Sequence, residues 1–222
     1  MSMFARLPER AAHVLLDSAI ERTYPAGTII YREPLPGSSN AMLALLVSGL
    51  LRLYVTSPEG REVTIRYYRE GDALGIASVV AGGAPATLEA VTDSRVVSFQ
   101  VDVMRHLVKK DVAVANLVAE NLAQSAFRIQ EMLVDNVFGS VRNRVASHLI
   151  DLAVPDRNGS LVAHISHQDL ADAIGSVREV VSRVLGVLRE EGAVIRDRDG
   201  ITLVDVPRVY EVAGRAMPIS RM

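Results

Sequence analysis

Arg178, Glu179, Ser182 and Arg183 fall along one polar face of a short helical pattern. The other side carries Val177, Val180, Val181, Val184, Leu185 and Leu188, which the 3.6-residue period predicts to be buried. Arginine can chelate guanine N7 and O6, and glutamate can accept a hydrogen bond from cytosine N4. Arg183 lies four residues after Glu179, one turn further along the same face, so the two can address neighbouring base pairs. A helix that presents these groups from its first two turns is suited to a DNA major groove.

The run SHQDLADAIGSVREVVSRVLGVLREE supplies the elements that would hold them, two helices joined by a tight turn. Ser166 followed by Asp169 predicts a capped helix start. Leu170, Ala171 and Ile174 give that helix a short apolar face, and Gly175 can adopt the backbone angle of a sharp turn. Ser176 and Glu179 repeat the cap-and-carboxylate pattern for the second helix. An ordinary helical hairpin with solvated charges, in which Glu179 only caps through Ser176 and Arg183 only pairs with it, is the alternative.

The run DLADAIGSVREVVSRVLGVLREEGAV resembles the helix-turn-helix of the Crp/Fnr family of bacterial transcription regulators. LVAHIS before it resembles the family's first wing strand. VIRDRDGITLVD after it resembles the wing hairpin, with Asp199-Gly200 as a two-residue turn. The resemblance runs from about Leu7 to Val206. It implies an α+β chain with an N-terminal jelly-roll β-roll over 1–109 that resembles a cyclic-nucleotide-binding domain, a dimerisation helix over 110–137 and a winged helix-turn-helix over 138–222. It also implies double-stranded DNA, a second copy of the chain and RNA polymerase as partners, and activation as the output. The recognition-helix pattern implies half-sites with a TGA/TCA core. Arg178, Glu179, Ser182 and Arg183 would lie at the bases, with Ser176, His167 and Arg142 beside them, Arg142 on a phosphate.

Composition fits this frame. The chain has 222 residues, 49% of them hydrophobic, and a formal charge of −2, enough for two modest domains with cores of their own. No apolar run approaches the roughly 18–20 residues of a membrane span. MSMFARLPERAAHVLLDSAI lacks a signal-peptide core, and there is no cysteine for disulfides or thiolate metal sites; the cytoplasm is the expected compartment. From Phe138 onward arginines and carboxylates balance and lysine is absent, so a small, arginine-built DNA footprint is expected, reinforced by dimerisation.

Residues 6–22 read as an amphipathic helical lead-in. From Tyr24 to Phe99 short β-type runs are punctuated by glycines, among them Gly27, Gly37, Gly49, Gly60, Gly71 and Gly75, the pattern of a small antiparallel barrel or jelly roll. Beyond Asp102 the texture is helical. Ala115, Val118, Leu122, Ala126, Ile129 and Leu133 recur at three- and four-residue steps, which suits a parallel helix pair across a two-fold axis. Packing on its own domain is the bland alternative for such a stripe.

Cyclic-AMP-binding members of the family hold the ribose with a glutamate after a glycine-rich turn and the phosphate with an arginine-serine pair. In GDALGIASVVAGGAPATLEA the matching positions after Gly75 are Ile76 and Ala84-Pro85, and Ile129 and Gln130 stand where hydroxyl side chains would meet the purine. A cyclic phosphate buried without a cation or hydroxyl costs several kcal/mol, so cyclic AMP is disfavoured and the effector is unassigned. A heme or other small-molecule sensor is the second reading, with His13 or His106 as axial ligand. The histidines show no close metal-ligand spacing, and no nucleophile elbow, Walker loop or dinucleotide fingerprint appears, so no metal site and no enzyme is expected.

Overall fold

The computed structural model describes residues 2–32, 41–60, 62–83, 85–156, 158–196 and 200–217, with the backbone alone at 131 and 135–137. Gly37, Arg61, Ala84 and Asp199 therefore lie outside the described residues. Two compact units are present, Met1–Val55 with Ile65–Gln130, and Thr56–Thr64 with Glu131–Met222.

In the first unit α1 (Glu9–Leu16) is followed by β1 (Ile20–Tyr24). The lead-in helix thus stops earlier than its apolar spacing suggested. The Ser18 hydroxyl donates to the Leu15 carbonyl at 2.7 Å and accepts the Gln100 N–H at 3.2 Å, which closes the helix end. β1 then pairs antiparallel with a later strand, from Ile20↔Ser98 to Tyr24↔Ser94. The remaining strands are β2 (Ile29–Tyr31), β3 (Ala44–Ser48), β4 (Leu51–Thr56), β5 (Glu62–Tyr68), β6 (Ala73–Leu74), β7 (Thr87–Ala90) and β8 (Ser94–Ser98). They form two four-stranded sheets, β1-β8-β3-β6 and β2-β7-β4-β5. Ala44, Leu46 and Val96 from one sheet meet Tyr31, Leu51, Leu88 and Ala90 from the other in a common core. The alternation of buried and less buried residues along β3 is what a sheet with one face in a core requires.

Helices cover a second apolar layer. Gly75 has φ +71° and starts α2 (Ile76–Ala81), a six-residue helix not anticipated because IASVVA is a short β-branched run. A Cβ at Gly75 would run into the Met42 carbonyl. α3 (Val101–Lys110) ends on exposed Lys109 and Lys110, the only lysines in the sequence. Asp111 then accepts the Ala113 N–H at 2.8 Å and opens α4 (Val112–Phe138). Leu15, Ile76, Met104, Val114 and Val118 close this layer, with Leu122 packed against it.

The second unit begins with α5 (Val141–Leu152), whose Ser140 cap and Asn143 satisfy each other's backbone N–H groups. β9 (Val154–Pro155), β10 (Leu161–Ala163), α6 (His167–Ala173), α7 (Arg178–Glu190), β11 (Val194–Arg196), β12 (Ile201–Leu203) and α8 (Val206–Ala213) follow. The strands form one antiparallel sheet, β11-β12-β10-β9, and α5 packs against α7 and α8. No described helix is long and apolar enough to cross a membrane.

Candidate nucleic-acid interface

α6 and α7 form the helix pair expected from the sequence. The Ser166 hydroxyl accepts the Asp169 N–H at 3.1 Å and donates to its carboxylate at 2.7 Å. Gly175 takes φ +63°, and the Ser176 N–H reaches back to the Ala171 carbonyl at 2.8 Å, so the chain reverses over three residues. Buried Leu170, Ala171 and Ala173 on α6 and buried Val181, Leu185 and Leu188 on α7 fix how the helices pack.

Two expectations for α7 are corrected. Its N-cap is Val177, not Ser176, and no side chain caps it. The N–H groups of its first turn are therefore not taken by a cap, and Glu179 is not tied to Ser176. Val177 is 57% exposed instead of buried, because it precedes the first helical turn and the periodic face starts only at Val181.

Arg178, Glu179 and Arg183 are exposed. Among the described residues their side chains form no hydrogen bond or ion pair with one another or with any other residue. An internal Glu179–Arg183 pair, the alternative to base reading, is absent there. Ser182 is half-buried, and its hydroxyl oxygen lies 2.7 Å from His167 Nδ1. The other ring nitrogen, Nε2, lies 2.9 Å from an Arg196 guanidinium nitrogen on β11. His167 is held below the ordinary imidazole range, first by burial and then by the Arg196 and Arg178 cations.

Arg142, expected on a phosphate, has an ion-pair partner. Its guanidinium grips Glu191, just past the C-terminal end of α7, at 2.5 and 2.7 Å, with Arg208 3.6 Å from the same carboxylate. The pair ties α5 to the end of α7 opposite Arg178 and gives Arg142 a partner within the unit. Gly200 has φ +146°, and its partner in the expected turn, Asp199, lies outside the described residues.

In the first unit the expected effector residues differ in exposure. Ile76 is 3% exposed within the helical core, whereas Pro85, Ile129 and Gln130 are exposed and Ala84 is undescribed. Gly75 makes a close backbone approach to Met42. His13 is exposed and its Nδ1 is 2.8 Å from the Glu9 carbonyl, and His106 is exposed on α3; neither has the enclosure a heme ligand needs. Among the described residues no three His, Asp or Glu could hold a metal ion. Of the proposed seam, Val118 is 3% exposed and turned into its own core, with Leu122 packed beside it. Ala126, Ile129 and Leu133 are exposed.

Comparison with known proteins agrees with this architecture. Residues 21–111 match the cyclic nucleotide-binding domain and residues 143–212 the Crp-like helix-turn-helix domain. The transcriptional regulator LdrP of Thermus thermophilus is 32% identical over 188 residues, covering 82% of this chain and 93% of that protein. The cyclic AMP receptor protein of the same organism is 32% identical over 195 residues, covering 86% and 87%. A crystal structure of a Crp/Fnr-family regulator from Eubacterium rectale ATCC 33656 superposes with a TM-score of 0.77 at 26% identity, covering 96% and 98%. The chain belongs to the Crp/Fnr family of transcription regulators, with a DNA-binding helix-turn-helix formed by α6 and α7.

Proposed function

We propose that the chain acts as a homodimer that recognises a palindrome with TGA/TCA-like half-sites through α7. The observation that carries this is the exposed Glu179 and Arg183, one helical turn apart on α7 and unpaired among the described residues. Arg183 would chelate the core guanine and Glu179 would accept from the neighbouring cytosine, with Arg178 adding a guanine or phosphate outside the core. The N-terminus of α7, which no side chain caps, favours a nearby phosphate through its leading N–H groups at Arg178 and Glu179 and the helix dipole. Selection of bound oligonucleotides from a random pool tests the reading. Recovery of a palindrome without the TGA core would sink it.

Dimerisation is supported by the apolar side chains that α4 leaves in water, Phe127, Ile129, Leu133, Val134 and Phe138. Ile129 is 47% and Leu133 53% exposed, so an Ile129→Asp, Leu133→Asp variant leaves each chain's own core intact while placing carboxylates in the seam. It should sediment as a folded monomer and lose palindrome binding. Persistence of the dimer would place the seam elsewhere. Regulation would then proceed through contact with RNA polymerase at the occupied site.

Cyclic AMP is not the effector in this reading. Ile76 is packed in the core where the ribose-binding glutamate would stand, and the nearby strand arginines are engaged: Arg52 lies 4.5 Å from the Tyr54 ring centroid and Arg66 lies 3.1 Å from Asp72. Titration calorimetry with cyclic AMP should give no heat of binding at low micromolar ligand, and DNA affinity should not change. Measured binding would reassign one of those arginines to the phosphate.

A further inference from the structure

His167 stands between the recognition helix and the wing strand, with one ring nitrogen against each. An arginine side chain can only donate, so the 2.9 Å contact with Arg196 requires His167 Nε2 to be the bare, accepting nitrogen. The ring proton then resides on Nδ1 and is donated to the Ser182 oxygen at 2.7 Å. With that lone pair used, the serine's own proton points away from the ring. Among the described residues the Ser182 hydroxyl donates to no side chain or backbone carbonyl.

We propose that His167 is a specificity-determining positioning residue: fixed in one tautomer by Arg196, it sets Ser182 as a hydrogen-bond donor toward the DNA, so that Ser182 prefers a base edge offering an acceptor. Such edges are thymine O4 and guanine O6 or N7, in contrast to the amino groups of adenine and cytosine. The proposal rests on α7 being the reading helix. It gives His167 a role beside the reading residues and not at the DNA itself, because both its nitrogens are used within the protein. Without Arg196 the ring could carry its proton on Nε2 and take the serine proton on Nδ1, which would turn Ser182 into an acceptor.

The device is sensitive to pH with a definite sign. Among the described residues the charged groups beside the ring are cations, Arg196 on β11 and Arg178 and Arg189 on α7. Protonation would set an Nε2–H against the Arg196 guanidinium and break the anchor. His167 is depressed below the ordinary value of 6.5. The unfolded chain therefore takes up the proton first, and the anchored state is fully present above that value and lost as pH falls through the lower folded one.

The test uses the full chain and the duplex that the wild type selects, with binding measured by fluorescence anisotropy for every single-base change in one half-site. Ser182→Ala identifies the position read by the serine. His167→Ala should lose about threefold to tenfold discrimination at that position alone, and the double variant should lose no more than either single one. His167→Asn puts an amide N–H where Nδ1–H stands, so it should retain the discrimination. The wild type should lose it at acidic pH and His167→Asn should not. A His167→Ala variant that weakens all sequences alike, with a shallower salt dependence, would mark a phosphate contact and overturn the proposal; so would one with no effect. If Arg183→Ala also leaves the selected sequence unchanged, the assignment of α7 as the reader has failed as well. If Arg183→Ala alters selection while His167→Ala does not, only the role of His167 has failed.

Discussion

Gly75→Ala should unfold or strongly destabilise the first unit, whereas Gly71→Ala should be tolerated. Both glycines hold positive φ, +71° and +85°, and an alanine in the left-handed region costs roughly 1–2 kcal/mol at either place. The difference lies in space. A Cβ at Gly71 meets nothing within 4 Å, while at Gly75 it collides with the Met42 carbonyl, which is backbone and cannot swing aside. Forcing β3's approach and α2 apart adds on the order of 1–3 kcal/mol of overpacking, a large share of the roughly 5–15 kcal/mol that holds a domain together. Thermal unfolding followed by circular dichroism measures it. Equal falls in Tm for the two variants would mean that the Met42 contact relaxes freely.

Arg183→Ala should cost about 1–3 kcal/mol on the selected duplex, roughly five- to 150-fold in Kd, and should flatten preference at the core guanine. The variant should fold normally, since Arg183 is exposed and forms no hydrogen bond or ion pair with other described residues. Arg142→Ala provides the contrast. Its guanidinium is committed to Glu191, so its loss should lower stability while leaving sequence preference and the slope of affinity against salt unchanged. If Arg142→Ala reduced that slope by about one and Arg183→Ala left preference intact, the two roles would have to be exchanged.

The second unit was the more legible from sequence because its signals are local. A Ser166–Asp169 cap, a left-handed Gly175 and the Val181–Leu185–Leu188 face each act within a turn or two of chain. The strands of the first unit were marked by glycine punctuation, but β1 was hidden. IERTY is almost wholly exposed along the edge of its sheet, so it carries no apolar alternation, and only its partner β8 makes it a strand. Val118 illustrates a different limit. Three- and four-residue spacing shows that a face is apolar, not whether a partner chain or the chain's own β-roll covers it, and here the core of α1, α2 and α3 does so at Val118. The ties His167–Ser182 and Arg142–Glu191 span 15 and 49 positions, and no residue pattern announces them. The Ser140-Val-Arg-Asn143 box was the missed signal that could have been found, since an N-cap serine with an amide three residues on is a local motif.

Lys109 and Lys110, at the exposed end of α3, are the last amines of any side chain before Met222. Every permanent cation of the DNA-reading unit is a guanidinium, which neither acetyl donors nor carbamylating agents neutralise under conditions that modify lysine. Lysine acylation thus has nothing to act on at α7, and an amine-reactive fluorophore would attach at the α3 terminus and the chain's α-amino group. A dye placed there leaves every side chain proposed to read bases unmodified, so labelled protein can serve directly in the anisotropy and sedimentation measurements described above.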